Sequence, residues 1–228
     1  MSNIRNRVRA DIMAYNMGIP KISSDIPPGT NILISGDLFS GKDVFSKKFV
    51  TEGLSDGEAC IYISTNESAE KILDDLTGLN LENLSIIDCV SSRFGATVEL
   101  PFSEQIRYVE SPVDLTMMMV ATNEFMDLYT NNRNIRKIRI VLDSISTLLM
   151  YSSLRTIFKF LHVLTTRVKT VGAVCLVLME EGAHDEIEIK TIQQLMHGLI
   201  SLNGGDLTIK GFTNLQMKYK IEDGDIII

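Results

Sequence analysis

The sequence predicts an α/β fold in which helices cover both faces of a mainly parallel sheet. Short apolar segments alternate with segments whose apolar residues recur at helical spacing. The short segments are hydrophobic almost without interruption, as strands buried on both faces are. From residue 198 onwards, short strands follow one another through tight turns at NGG and EDG. This tail predicts antiparallel strands at one edge of the sheet.

The spacing of apolar residues predicts the bounds of the individual strands and helices. The predicted strands are 31–35, 59–65, 84–90, 138–146 and 173–179, then 198–202, 207–211, 215–221 and 225–228. The predicted helices are 43–54, 68–78, 111–129, 153–170 and 186–197. In the third of these helices Ser111 is the predicted N-cap, Pro112 the first helical residue and Asp114 part of a capping-box variant.

Composition points to an acidic protein of a reducing compartment. The 228 residues include 45% hydrophobic ones and carry a net charge of −7, which disfavours non-specific binding to nucleic acid. The three cysteines lie in apolar segments without metal-like spacing, so buried free thiols are expected. No segment is long enough to span a membrane, and a cytoplasmic location is predicted.

The N-terminal segment is basic, in contrast to the net negative charge of the whole chain. Residues 1–26 are predicted to be a basic helix and a connector, ahead of one domain at 27–228. The helix holds Arg5, Arg7 and Arg9. A solvated helix or a subunit-contact arm is favoured, and contact with DNA is the less favoured alternative.

A glycine-rich loop lies between the first predicted strand and the first predicted helix. Residues 36–42 fit the phosphate-binding pattern G-x-x-x-x-G-K, whose glycines allow backbone N–H groups to point inward. The helix adds the positive end of its dipole, and Lys42 adds a point charge for the β- and γ-phosphates. The predicted nucleotide-binding residues are Gly36, Phe39, Ser40, Gly41, Lys42, Asp43 and Val44.

Asp43 stands where this pattern has Ser or Thr. A carboxylate is a good Mg²⁺ ligand, so Asp43 could reshape a metal site. It also repels a phosphate by about 4 kcal/mol at roughly 4 Å and an effective dielectric constant of about 20. Alternatively, Asp43 simply begins the helix, where acidic residues are favoured.

A second predicted Mg²⁺ ligand is Asp143, at the end of the apolar strand IRIVLD, in the Walker B arrangement.

The order of these segments resembles the RecA-superfamily ATPases, in particular the archaeal KaiC-like and RadA-paralogue group. The resemblance covers the chain from about residue 27 and rests on PPGTNILISGDLFSGK, YISTNES, VLDSISTLLMY, HGLISL and LTIKG. It implies a three-layer αβα sandwich of the RecA-like P-loop NTPase type. It also implies binding of ATP or ADP with Mg²⁺, and assembly with copies of the chain or with a partner of the same superfamily.

Two further departures from the family pattern accompany Asp43. In KaiC-like proteins a Glu pair follows the second strand, and its first Glu activates water. Alignment places Asn66 at that position and Glu67 at the second, so general-base catalysis would fall to Glu67. The alternative is that Asn66 is a helix N-cap and Glu67 a first-turn acid. Near the last strands only Lys210 remains of the family's Lys and Arg, and Phe212 stands where Arg is expected.

The loop MEEGAHDE follows another predicted strand and so lies on the ligand side of the sheet. Three interpretations remain open for it: a metal site, a sensor of the γ-phosphate through Glu180, or a solvated loop. His197 is expected to close a helix.

Three functions are compatible with the sequence. The favoured one is a nucleotide-binding regulatory or scaffold protein with weak or no ATP hydrolysis. The first alternative is an active Mg-dependent ATPase in DNA recombination or repair, or in signalling. The second is an interaction module with an empty nucleotide site.

Overall fold

A computed structural model describes residues 14–19, 22, 26–94 and 103–228 and contains a nine-stranded sheet with helices on both faces. The predicted basic helix near the N-terminus lies outside the described residues. Within the part that is described, no helix has the length and apolar character needed to cross a membrane.

The strands are β1 Asn31–Gly36, β2 Ala59–Ser64, β3 Leu84–Asp88, β4 Ile106–Tyr108, β5 Ile138–Asp143, β6 Val174–Glu180, β7 Gly198–Asn203, β8 Asp206–Lys210, β9 Leu215–Lys218, β10 Lys220–Glu222 and β11 Asp225–Ile227. The α-helices are α1 Lys42–Ser55, α2 Ala69–Asp75, α3 Leu115–Asp127, α4 Ile145–Tyr151, α5 Leu154–Val171 and α6 Glu186–Gln193.

The sheet has the order β4-β3-β2-β5-β6-β1-β7-β8-β9. Its strands are parallel from β4 through to β7, and β8 and β9 continue it in antiparallel fashion. Strands β10 and β11 form a separate antiparallel hairpin. The predicted fold class, an αβα sandwich with a mainly parallel sheet and antiparallel C-terminal strands, is therefore confirmed.

Side chains alternate between the two faces of the sheet, as the two-residue period of a strand requires. In β1, Ile32 and Ile34 pack in the cluster under α1 and α2, whereas Leu33 packs in the cluster under α3 and α5. The three cysteines are buried and free, as predicted.

Several predicted boundaries are wrong. The strand 138–146 ends at Asp143, and α4 follows at once because the Ser144 side chain caps it by accepting from the Thr147 N–H. The helix predicted at 111–129 begins at Leu115, and its N-cap is Asp114 rather than Ser111. The Asp114 carboxylate accepts from the Met117 N–H at 3.0 Å, which fixes the start of the helix there.

His197 does not close a helix, because α6 already ends at Gln193. The imidazole Nδ1 of His197 accepts from the Asn31 N–H at 3.1 Å, and the His197 N–H donates to the Asn31 carbonyl at 2.7 Å. These two bonds join the start of β7 to the start of β1.

A buried ion pair lies at the same amino-terminal end of the parallel strands. Arg139 of β5 is fully buried, and its Nε lies 2.6 Å from Glu58 Oε2. The guanidinium also donates to the carbonyls of Asn16 and Phe49 and lies over the Phe49 ring. Gly53 faces this guanidinium so closely that an added Cβ would lie 2.6 Å from Arg139 Cδ. One buried charge thus connects β5, α1 and residues 14–19.

We expect Glu58→Gln to lower the free energy of unfolding by about 3–5 kcal/mol, because it leaves the buried Arg139 charge without its counter-ion. Urea denaturation measures the change. Glu186→Gln is the matched control, since it breaks an ion pair with Lys190 in which both side chains are more than 60% exposed. The control should change stability by less than about 1 kcal/mol. Equal effects of the two substitutions would contradict a structural role for the buried pair.

Candidate functional site

The site lies at the carboxyl edge of the parallel strands, where ligands bind in sheets of this type. Pairing of β1 with β6 sets Gly36 opposite Glu180, and pairing of β2 with β5 sets Ser64 opposite Asp143. The loop between β1 and α1 therefore has a carboxylate from β6 on one side and the end of β5 nearby. Residues that are more than a hundred positions apart in sequence meet here.

Two glycines give the loop its shape. Gly41 has φ 83°, a left-handed conformation that glycine adopts without strain. Gly36 leaves no room for a side chain, because an added Cβ would lie 2.7 Å from the Leu202 carbonyl oxygen. Phe39 also has positive φ, at 65°, and its side chain is 90% exposed.

The helix after the loop is uncapped. In the described part of the chain, the five other α-helices each have a side chain at the N-cap that accepts from a first-turn N–H, namely those of Ser68, Asp114, Ser144, Ser153 and Asp185. Helix α1 begins after Gly41 and has no side-chain cap bond. Its first N–H groups therefore remain available to an acceptor from outside the chain.

Lys42 is buried at the start of this helix. It is 7% exposed, and its Nζ lies 2.7 Å from Glu180 Oε2. Nζ also donates to the Asp37 carbonyl at 3.2 Å. The loop thus holds an ammonium group whose counter-ion comes from the end of β6.

The C-terminal hairpin packs on the loop. Tyr219 donates through its hydroxyl to the Ser40 carbonyl at 2.7 Å in a buried position. Ile221 of β10 occupies the space that a side chain on Gly41 would need. Lys48 of α1 binds the Asp225 carboxylate at 2.6 Å, and this hydrogen bond lowers the pKa of Asp225. These contacts cannot be predicted from local sequence patterns, because Tyr219 lies 179 residues after Ser40 in the chain.

Asp143 is held by two donors at the end of β5. Tyr62 donates its hydroxyl to Oδ2 at 3.0 Å, and the Asn66 amide donates to Oδ1 at 3.1 Å. Burial raises the pKa of Asp143 above its usual 3.8, although both bonds act against the rise. Burial and the Asp143 charge raise the pKa of Tyr62 well above 10, so its phenol remains a donor.

Asn66 is not a helix N-cap, since Ser68 caps α2. Its Nδ2 also donates to Ser144 Oγ at 3.3 Å, and its Oδ1 accepts from the Thr147 hydroxyl. Asn66 therefore cross-links the loop after β2 to Asp143 and the start of α4. Glu67 next to it is partly exposed, and its Oε2 lies 3.5 Å from Lys47 Nζ.

A hydroxyl, an imidazole and a carboxylate line up behind Glu180. Ser146 Oγ lies 2.7 Å from His184 Nε2, and His184 Nδ1 lies 3.5 Å from Glu188 Oε2. Such a chain can activate a serine, but Ser146 is 6% exposed and its Oγ already accepts from the Glu180 N–H at 2.9 Å. These contacts of Ser146 with Glu180 and His184 instead anchor the loop 180–185 to α4.

The remaining predicted residues lie apart from these contacts. Asp43 is exposed in the first turn of α1 and, with Val44, lines a cleft of about 650 Å³ that also includes Lys48, Gly224 and Asp225. Lys210 is exposed at the end of β8 and lines a separate cavity of about 300 Å³. Phe212 packs over Gly198, which leaves no room for a Cβ there.

Comparison with known proteins places the chain in a family. A family of unknown function, DUF7504, matches residues 29–202. The chain belongs to this family. A UPF0273 protein of Thermotoga maritima is 27% identical over 149 residues, which is 60% of this chain and 57% of that protein. The chain therefore aligns with little more than half the length of this relative.

A solved structure has the same overall fold. A KaiC-like protein of the hyperthermophilic archaeon Pyrococcus horikoshii OT3 superposes with a TM-score of 0.65 at 19% identity, covering 94% of this chain and 97% of that one. The resemblance to the KaiC-like group of the RecA superfamily is thus confirmed at the level of the fold.

We expect Asn66→Asp to lower the free energy of unfolding by about 2–4 kcal/mol at pH 7, because it sets a second carboxylate 3.1 Å from Asp143 Oδ1. The loss should shrink as the pH falls towards 4, since the native pair then binds a shared proton that the unfolded chain binds less well. Urea denaturation at both pH values measures this.

Asn66→Ala is the control for Asn66→Asp. It removes the donor without adding a charge, so its smaller loss should depend much less on pH. Identical pH profiles for the two variants would contradict the contact between residue 66 and Asp143.

Proposed function

We propose that this protein binds ATP or ADP through the β1–α1 loop and hydrolyses ATP weakly or not at all. The observation that carries the proposal is the uncapped start of α1 combined with the buried Lys42. Free N–H groups, a helix dipole and an ammonium group together make a site for phosphate oxygens. The sequence pattern of the loop is the one that cradles phosphates in P-loop proteins.

The cleft beside the loop suits the rest of a nucleotide. It begins at Asp43 and Val44, in the first turn of α1 directly after the loop, and it extends to Lys48 and Asp225. A volume of about 650 Å³ falls within the range of small-molecule sites. We infer that the ribose and base lie there, against the C-terminal hairpin.

The residues present fit a Mg²⁺ ion, provided that the phosphates complete its shell. Asp43 offers an exposed carboxylate, and Asp143 keeps lone pairs beyond its two hydrogen bonds. In the described residues, no three metal-binding side chains lie close enough to hold an ion by themselves. Mg²⁺ is normally bound through one or two carboxylates together with substrate phosphates. When bound, it would neutralise phosphate charge, and either Asp143 or Asp43 would hold it together with the phosphates.

Two features support weak hydrolysis. Asn66 cannot accept a proton, and its amide already serves the contacts with Asp143 and Thr147. Phe212 is packed on Gly198, so no arginine takes its place near the last strands. A base or water-positioning residue and a charge-stabilising arginine together supply much of the rate of phosphoryl transfer. Glu67 remains the alternative base, and it would have to leave its ion pair with Lys47.

Isothermal titration with ATP and ADP, with and without Mg²⁺, tests the proposal. We expect binding that Lys42→Ala weakens by at least about a hundredfold, because the loop loses its only side-chain cation. Lys190→Ala on exposed α6 is the control and should leave affinity unchanged. Phosphate release by the wild-type chain should stay far below the roughly 5–20 s⁻¹ that a P-loop GTPase reaches when a charge-stabilising arginine is supplied. Affinity that survives Lys42→Ala would show that the loop is not the site.

We further propose that the output of binding is an assembly state rather than released phosphate. Leu38 and Phe39, on the tip of the loop, are 69% and 90% exposed. Apolar side chains at a ligand site are normally covered when a partner docks. The partner that fits is a second copy of the chain or a protein of the same superfamily.

Sedimentation velocity with and without ATP tests this assembly. We expect a larger species with nucleotide, and a shift towards monomer in Phe39→Ser. Ile187→Ser is the control, since Ile187 is 72% exposed on α6. A monomer under all conditions, or equal effects of the two substitutions, would contradict assembly through the loop.

A further inference from the structure

We propose that Glu180 competes with phosphate for Lys42 in the free chain, and that it lowers the affinity of the site for a nucleoside triphosphate more than for a diphosphate. This inference rests on the proposed nucleotide site. It assigns to Glu180 a role that is neither catalysis nor metal binding. The carboxylate occupies, in the free chain, the place of a phosphate oxygen.

The geometry of the ion pair carries the argument. Glu180 Oε2 lies 2.7 Å from Lys42 Nζ, the distance of a charge-assisted hydrogen bond. Lys42 is nearly buried, whereas the Glu180 side chain is 33% exposed. A phosphate that takes the ammonium group must therefore displace a carboxylate or share the lysine with it.

The backbone of Glu180 cannot retreat. Its N–H donates to Ser146 Oγ at 2.9 Å, and the next N–H, that of Glu181, donates to the Gly36 carbonyl at 3.0 Å. Ser146 is itself in contact with His184 at 2.7 Å. Rotation of the Glu180 side chain towards solvent can separate the two charges without moving the backbone, and its partial exposure leaves a path for that rotation.

The effect must depend on the charge of the ligand. In a P-loop the lysine serves the β- and γ-phosphates, so the Glu180 carboxylate is close to the terminal phosphates and farther from the α-phosphate. Each added phosphate raises the like-charge repulsion at this position. Removing the charge should therefore help ATP more than ADP.

Isothermal titration of ADP and ATP against wild type, Glu180→Gln and Glu181→Gln tests the inference, in buffer without divalent cation. We expect Glu180→Gln to bind ATP about tenfold more tightly than wild type, and ADP by a smaller factor. Glu181→Gln is the matched control: it removes the same charge one residue away, from an exposed side chain that accepts a hydrogen bond from Asn203. Its affinities should stay within about twofold of wild type.

Inorganic pyrophosphate and tripolyphosphate serve as probes that carry phosphate charge but lack the ribose and the nucleobase. The gain in Glu180→Gln should be larger for tripolyphosphate, which ties the effect to phosphate charge. Thermal denaturation establishes that each variant is folded, and Glu180→Ala replaces the glutamine variant if that one is not.

The outcomes distinguish failure of the proposed nucleotide site from failure of the proposed role of Glu180. If wild type binds nucleotide through Lys42 but Glu180→Gln binds no more tightly, the role of Glu180 is wrong and the nucleotide site stands. An equal gain in Glu181→Gln also overturns it, because the effect would then be general charge. If Glu180→Gln binds nucleotide and wild type does not, competition between Glu180 and phosphate is supported, and nucleotide binding by the wild-type chain is contradicted. If neither protein binds any of the four ligands, both ideas are wrong.

Discussion

A buried ammonium group requires an anion close to it, and Lys42 imposes this requirement on the whole carboxyl edge of the sheet. In the free chain Glu180 meets it from β6, at 2.7 Å. The pairing of β1 with β6 makes this contact possible, because it sets Glu180 beside Gly36, where the loop begins. The parallel sheet thus does more than support the loop: it supplies the loop's charge partner.

The C-terminal hairpin adds a second constraint on the same loop. Tyr219 satisfies the Ser40 carbonyl, and Ile221 covers Gly41. The bond between Lys48 and Asp225 then joins the hairpin to α1. Since the loop is held on both sides, its backbone conformation is set before any ligand arrives. Such preorganisation lowers the ordering cost of binding.

Local patterns sufficed to predict the fold and the position of the loop. The alternation of apolar strands and helices, and the glycines around Lys42, can be read from short windows of sequence. Contacts that depend on strand order could not be predicted in this way. The bond from Asn66 to Asp143 exists because β2 and β5 are neighbours in the sheet although 77 residues separate the two side chains.

Capping choices were missed for a different reason. Ser111 and Asp114 are both good caps, and so are Asn66 and Ser68. Sequence alone cannot choose within each pair, because the choice depends on where the chain turns into the helix. The turn before α3, with the Asp114 N–H bonded to the Ser111 carbonyl, makes Asp114 the cap. Asn66 is drawn away from capping by the carboxylate of Asp143, which offers a charged acceptor.

The same contacts are the physical basis for proposing that this site binds nucleotide but hydrolyses it slowly. An enzyme that stabilises a transition state keeps its donors and cations aimed at the charge that develops there. In this chain Lys42 is directed at Glu180, and the donors Tyr62 and Asn66 are directed at Asp143. Lys42 can exchange one anion for another, so a phosphate can enter. Tyr62 and Asn66 differ from Lys42, because the carboxylate to which they donate belongs to the protein and is not replaced by a ligand. On this proposal, binding requires one ion pair to rearrange, whereas rapid hydrolysis would require the network around Asp143 to be rebuilt.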